Sequence, residues 1–313
     1  MVELRGLPMQ YAPIPTEEQL ERVRDAIGAG SLSHVRRMDG GLSCTMDVLS
    51  DGSTRMVLRR YGPWSVDGDG AIETETRALE LLQRANIPAP APIWSDTNGT
   101  FDEQAIVISY LEGAPDLTPS NPFDWAERLA SVLARIHEVR LEGDDIELFP
   151  RGAGHDVERL QENPEAVLEH PLGEELLRRR VILGQRDIPT DPVFSHTDFW
   201  PGNTLWEEGR LVGVIDWEEP ATGDREMDVA YCALDIRYLG MDRVADHFVK
   251  SYREESGQSL PNLAHWESVG LCRPMPDIAM WVPAWKTMGR DITPDRARAR
   301  YTEVLEDFLE RTG

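Results

Sequence analysis

The sequence predicts an α+β fold, with a small N-terminal antiparallel β-sheet lobe followed by a larger, mainly helical C-terminal lobe. Three observations predict it. Short β-like runs separated by turn residues fill most of the stretch before residue 113. Beyond it, apolar residues recur at helical spacing. No period of about 20–50 residues repeats, which removes solenoids and propellers. A length of 313 residues suits one large domain or two modest lobes, either able to bury a core without staples. The expected division is 1–113 and 114–313, with a connector near Glu112-Gly113 and a ligand in the cleft between lobes.

The elements follow in order. Thr16-Glu17-Glu18-Gln19 reads as a capping box that opens a helix running to about Ala29. Strands are expected over 33–38, 44–49 and 55–61, the last two joined by the turn Ser50-Asp51-Gly52-Ser53. Ala78, Leu79, Leu81 and Leu82 give 73–85 a helical face, ended by Pro88, Pro90 and Pro92. The apolar run 105–111 is a strand, stopped at Glu112-Gly113-Ala114-Pro115. Helices are then expected over 125–139, 173–183, 224–239, 242–255 and 295–311. One hairpin interrupts them: Thr204-Leu205-Trp206 and 211–215 flank Glu207-Glu208-Gly209-Arg210.

Composition narrows the function classes. With 41% apolar and 28% charged residues, the chain is an ordinary soluble one. Its net charge of −24 repels phosphate backbones and anionic lipid heads, which argues against nucleic acid and membrane partners. It attracts cations. The part before residue 114 carries −7 and the rest −17, which makes the helical lobe the home expected for a cationic ligand. Cys44, Cys232 and Cys272 are too scattered for a disulfide framework or a cysteine-rich zinc site. The first residues lack the apolar core of a signal peptide, and a reducing cytoplasm is expected. Lys250 and Lys286 are the only lysines, so any phosphate-binding cation in the first 249 residues is arginine and a GxxxxGK[ST] phosphate loop is excluded.

The chemistry concentrates in Ser195-His196-Thr197-Asp198-Phe199-Trp200-Pro201-Gly202-Asn203, followed by Asp216 in Val214-Ile215-Asp216-Trp217. Phosphoryl transfer needs a carboxylate to accept or orient a hydroxyl proton. It also needs oxygen ligands that hold Mg²⁺ against a triphosphate. An Asp and an Asn on one tight loop, with a second Asp at the end of a hairpin, can converge for that purpose.

These residues, with Val214-Ile215-Asp216-Trp217-Glu218-Glu219-Pro220 and Gly223-Asp224-Arg225-Glu226-Met227-Asp228, resemble the aminoglycoside phosphotransferase family. That family is a branch of the protein-kinase-like fold which includes choline, homoserine and macrolide kinases, and the resemblance runs over roughly residues 20–255. It implies Asp198 as catalytic base, Asn203 and Asp216 as metal ligands, His196 as a brace of the loop, and Asp224 and Asp228 as its supports. It also implies a nucleotide-positioning loop at Asp39-Gly40-Gly41-Leu42-Ser43-Cys44, with Gly41 and Ser43 near phosphate. Arg59 stands where a kinase strand offers lysine to the phosphates, a departure that arginine's bidentate fork can serve. Glu75 matches the helix acid that pairs with that cation. Ser109, Tyr110 and Leu111 resemble the hinge whose backbone bonds the adenine edge. His137, beside apolar residues, is assigned no catalysis.

The function implied is a Mg²⁺-dependent kinase that uses ATP or GTP and acts on a small-molecule hydroxyl. The first choice of acceptor is an aminoglycoside or related cationic antibiotic, which would make the chain a resistance enzyme. Its expected contacts are Asp235, Trp266 and Glu267. Alternatives are a macrolide, sugar, homoserine or choline-like acceptor, or an inactive nucleotide-binding relative. A protein kinase is disfavoured because Trp217-Glu218 replaces Phe-Gly and no Ala-Pro-Glu segment follows. A monomer or homodimer is expected.

Overall fold

Strand-forming residues and tight turns cluster before residue 110, and there the chain builds its larger sheet. The structure, a computed structural model, describes residues 12–38, 44–62, 71–149, 164–186 and 191–313. The chain forms two units: Met1–Glu112 with Asp216–Glu218, and Gly113–Ile215 with Glu219–Gly313.

In the first unit the sheet contains β1 (Ser33–Arg37), β2 (Cys44–Ser50), β3 (Arg55–Tyr61), β4 (Pro92–Ser95) and β5 (Gln104–Ser109). Their order is β1-β2-β3-β5-β4, antiparallel throughout. Asp51 makes the β2–β3 turn by accepting from the Ser53 and Thr54 amides at 2.8 and 2.7 Å, while Gly52 takes φ +94°. Helix α1 (Glu17–Ile27) has the expected capping box, with Thr16 and Gln19 each accepting the other's amide. It ends at Gly28, whose left-handed φ of 69° suits glycine, a little before the expected Ala29. Leu20 and Val23 of α1 pack on Leu49, Met56, Leu58 and Val107. The β pleat sends alternate residues to opposite faces, and Arg59 and Tyr61 meet Glu75 of α2 (Ala71–Arg84).

The second unit holds α3 (Pro122–Ile136), α4 (Asp145–Leu148), α5 (Glu165–Leu168), α6 (Gly173–Gly184), α7 (Arg225–Tyr238), α8 (Asp242–Ser256), α9 (Leu263–Gly270), α10 (Val282–Thr287) and α11 (Pro294–Arg311). Two small antiparallel pairs accompany them. β6 (Val193–Ser195) pairs with β9 (Ala221–Gly223), and β7 (Thr204–Glu207) with β8 (Arg210–Val214). Glu208 and Gly209 both take positive φ, 49° and 74°, as a two-residue hairpin requires. α7 is buried nearly all round, and its Met227, Ala230, Tyr231 and Leu234 join Val269, Trp285, Tyr301 and Phe308 in the core.

The differences from the expected elements have local causes. Pro122 starts α3 three residues early, because proline is preorganised for a first turn. β4 begins at Pro92, within a proline-rich stretch read as a terminator. Proline is tolerated there at the first residue of an edge strand. β5 stops at Ser109, two residues short of the expected run. The three-residue β6 and β9 and the helices α9 and α10 were not anticipated. Gly41 and Ser43 lie outside the described residues. No helix among the described residues is long and apolar enough to cross a membrane.

The three cysteines are buried and carry no disulfide. Burial pushes the thiols of Cys44 and Cys272 up to about 12, and that of Cys232 well above its ordinary value.

At Gly270, α9 lies close against α7. A β-carbon there would stand 2.6 Å from Leu234 Cδ1 and 3.1 Å from Tyr231 Cδ1. Gly270→Ala should therefore overpack this seam and lower unfolding stability by about 1–3 kcal/mol, read from urea denaturation.

Candidate functional site

The loop that begins at His196 leaves β6, and the chain returns at β9, where Ser195 pairs with Ala221. One buried carboxylate holds its start. Asp228, in the first turn of α7, accepts from the main-chain amides of His196 and Thr197, both at 2.9 Å. Thr197 takes φ +71°, a costly conformation for a β-branched residue, and these bonds hold it there. Its hydroxyl donates to the Glu219 carbonyl at 2.8 Å. The Nε2–H of His137 donates to Asp228 Oδ2 at 3.1 Å, and its Nδ1 lies 2.6 Å from the Tyr252 hydroxyl. Asp224 caps α7 through the Glu226 amide at 3.1 Å and accepts from Asn262 Nδ2 at 3.2 Å.

Further along the loop, Asn203 turns back on Asp198. Its Nδ2 donates to the Asp198 carbonyl at 3.0 Å and to Asp198 Oδ2 at 3.2 Å. The amide of Ile215 donates to the Asn203 carbonyl at 2.9 Å, and His196 Nε2 lies 2.9 Å from the Ile215 carbonyl. The residue before Asp216 is thus tied to the loop on both its polar groups. Arg273 pairs through Nη2 with Asp198 Oδ1 and through Nη1 with Asp235 Oδ2 at 3.4 Å. Its guanidinium carbon lies 4.2 Å from the Tyr231 ring centroid and 5.7 Å from that of Trp281.

In the first unit, Arg59 is the centre. It is buried, donates from Nη1 to Glu75 Oε1 at 2.7 Å, and reaches Asp216 Oδ1 at 3.2 Å from Nη2, which also pairs with Glu218. The Tyr61 hydroxyl bonds Glu75 Oε2. Burial works against the charge on Arg59, but its anionic neighbours outweigh it and raise the pKa well above the ordinary value. Burial also pushes the Glu75 carboxyl up, against the pull of Arg59 and Tyr61. At the expected hinge, the Ser109 amide donates to the Ala91 carbonyl at 2.8 Å and the Tyr110 amide to the Arg55 carbonyl at 3.2 Å. The Leu111 main chain pairs with no other described residue.

The oxygen donors suit a hard cation such as Mg²⁺. Asn203 spends its amide nitrogen on Asp198, so its Oδ1 is the atom available to a metal. The Asp216 side chain is 44% exposed. Arg59 pairs with Glu75, Asp216 and Glu218 together.

The three residues expected at the acceptor are distributed unequally. Asp235 reaches Asp198 through Arg273. Glu267 is buried near Arg311, with a 3.5 Å separation, and Trp266 packs against the helical core. Sequence reasoning did not anticipate Arg273, Glu218 or the bonding role of His137. Asp216 takes a left-handed φ of 69°, so no strand-like alternation in Asp216-Trp217-Glu218 pointed to Glu218.

Comparison with known proteins agrees with this architecture. A family model described as the phosphotransferase enzyme family matches residues 34–270. A curated chicken (Gallus gallus) protein, acyl-CoA dehydrogenase family member 11, is 26% identical over 222 residues; the match covers 65% of this chain and 28% of that protein. Among solved structures, a Ralstonia eutropha JMP134 protein described as a candidate aminoglycoside phosphotransferase superposes with a TM-score of 0.67 at 18% identity, covering 95% of this chain and 98% of that one. A spectinomycin phosphotransferase solved with ADP and spectinomycin gives 0.61 at 14% identity, covering 96% and 99%. These likenesses show a kinase-like fold.

A buried acid beside the site makes stability depend on pH. Glu226 accepts the Asn262 amide on Oε1 at 2.9 Å, while its buried Oε2 has no partner among the described residues. Burial pushes this carboxyl up to about 7, against the Asn262 amide and with help from Asp224. Between about pH 4.5 and 7 the folded chain keeps a proton that the unfolded chain has released, so this residue's contribution makes stability fall as pH rises. The loss is on the order of 3 kcal/mol. In Glu226→Gln the slope of Tm across that window should flatten, as calorimetry at several pH values would show.

Proposed function

This chain belongs to the phosphotransferase enzyme family, a family of small-molecule kinases, and we propose that it transfers the terminal phosphoryl group of ATP or GTP to the hydroxyl of a small molecule. The observation that carries the reading is the Asp198–Asn203 pair, a carboxylate oriented by an amide on a loop anchored at Asp228. Asp198 accepts the hydroxyl proton as the acceptor oxygen bonds to the γ-phosphorus, and the bond from that phosphorus to the leaving nucleoside diphosphate breaks. Asn203 holds the carboxylate in position. Asn203 Oδ1 and Asp216 would hold Mg²⁺, which when bound supplies neutralisation of the phosphate charge.

Arg59 does the work of the usual lysine, binding phosphate through a planar fork that Glu75 fixes. Leu111 bonds the edge of the base with its main chain, and Ser109 and Tyr110 shape that edge. Gly41 and Ser43 contribute phosphate contacts. His196, Asp224 and Asp228 are supports. In this reading residues 1–113 bind nucleotide and 114–313 carry catalysis and the acceptor. The acid excess after residue 113 supports the cationic antibiotic first expected.

A coupled assay for nucleoside diphosphate, with mass spectrometry of the acceptor, tests the reaction. Asp198→Ala should keep nucleotide affinity and lower kcat by about two orders of magnitude or more; retained turnover removes Asp198 from the role of base. Asp216→Ala should abolish Mg²⁺-dependent nucleotide binding in titration calorimetry. Arg59→Lys should keep turnover, whereas Arg59→Ala should raise the nucleotide KM, and an unchanged KM and kcat would remove Arg59 from phosphate binding.

A further inference from the structure

On the kinase reading above, we infer that Tyr252 and Arg225 are positioning residues for Asp198: together they keep the one ring hydrogen of His137 on Nε2, where Asp228 accepts it and holds the start of the loop. Three helices meet here. His137 closes α3, Arg225 and Asp228 lie in the first turn of α7, and Tyr252 comes from α8. The side chains of His137 and Asp228 are wholly buried, and so is Tyr252. In such a cluster each hydrogen must find its acceptor within the protein.

An ionised carboxylate can only accept. Asp228 Oδ1 takes the Thr197 amide and Oδ2 the His196 amide, both at 2.9 Å. His137 Nε2, 3.1 Å from Oδ2, is therefore the donor of that contact. The other ring nitrogen, Nδ1, lies 2.6 Å from the Tyr252 hydroxyl, a group that can give or take a hydrogen. Arg225 removes the choice. Its guanidinium bonds the Tyr252 hydroxyl, opposing the burial that pushes this hydroxyl up to about 12. A guanidinium has donors and no acceptor, so the Tyr252 oxygen turns its lone pairs to Arg225 and its hydrogen to His137. Nδ1 is then an acceptor and the ring is neutral. A protonated ring would set a second cation near Arg225 in a site removed from water. Arg225 also pairs with Asp191 at 3.5 Å, just before β6, the strand from which the loop departs.

The arrangement bears on Asp198 and leaves the nucleotide residues alone. If His137 turned a lone pair toward Oδ2, two acceptors would face each other and Asp228 would shift from the amides it holds. Thr197, at φ +71°, relaxes first, and Asp198 is the next residue. The residues read as nucleotide contacts, Arg59, Glu75 and Leu111, belong to the first unit. Loss of the Tyr252 hydroxyl thus reaches kcat and not the nucleotide KM.

The kinetic test uses the full chain with Mg²⁺ and ATP or GTP. The acceptor is the fastest among an aminoglycoside, a macrolide, a sugar, an amino alcohol and water. Tyr252→Phe and Arg225→Met should each lower kcat about tenfold, the size of one hydrogen bond, with the nucleotide KM unchanged. Hydrogen exchange at the His196 and Thr197 amides should speed up about tenfold in both variants. Arg225→Lys, still a donor without an acceptor, should recover most of the rate. An unchanged kcat in either of the first two variants, a nucleotide KM that rises as kcat falls, or no recovery with lysine overturns the inference.

Nitrogen NMR of the labelled wild-type chain reads the hydrogens directly and needs no variant to fold. At about pH 7.5 His137 should carry hydrogen on Nε2 alone, and hydrogen on Nδ1 overturns the inference. In Tyr252→Phe the Nδ1 signal should move to that of an unbonded ring nitrogen. A wild-type chain that transfers phosphoryl to none of these acceptors overturns the kinase reading. The ring signals and amide exchange then still decide whether Tyr252 and Arg225 anchor the loop.

Discussion

The second unit's active loop depends on the burial of one negative charge. Asp228 is fully removed from water, a state that is unfavourable unless its oxygens are satisfied. Two main-chain amides and a histidine ring satisfy them. The stabilisation is mutual, since the same bonds hold Thr197 at a backbone angle it would otherwise leave. Asp198 is the next residue. Its direction is therefore set by α7, and through His137 by Tyr252 of α8, before any ligand is considered. Asn203 and Ile215 extend the order along the chain to the residue preceding Asp216.

Arginine carries both cations of the candidate site. In the first unit Arg59 serves three carboxylates, which a compact ammonium group could reach less easily than a planar fork. In the second, Arg273 spans Asp198 and Asp235 while lying on an aromatic ring. The near absence of lysine thus has a structural counterpart. It also separates two scales of electrostatics. Net charge describes the field far from the surface, whereas the buried ion pairs around Asp198 describe the field at the candidate site.

Much of this was legible from residues close in sequence. The capping box at Thr16, the hairpin at Glu208-Gly209 and the strand pair around Asp51 are local, since each is set by a cap or turn within a few residues and its ladder then follows in register. The Asp198–Asn203 pair spans five residues and could be read as a motif. What escaped notice is long-range. Arg273 lies 75 residues from Asp198, and His137 lies 91 from Asp228. Nothing in Cys272-Arg273-Pro274 distinguishes an internal cation from a surface one. Acids such as Asp235 and Glu267 likewise look solvated in a chain so rich in them, although they are buried with arginine partners. β4 was hidden because its Pro92 fits both the start of an edge strand and the end of a helix.

The sealed thiols have a practical consequence. Cys44 belongs to the first unit's sheet, whereas Cys232 and Cys272 lie in the second unit's core, and none is exposed in the native fold. Since the thiolate is the reactive form and burial suppresses it, alkylating reagents can attack only after local opening. The labelling rate of each cysteine, resolved by peptide mapping, is therefore a built-in clock for the breathing of its own unit, with no probe to be introduced.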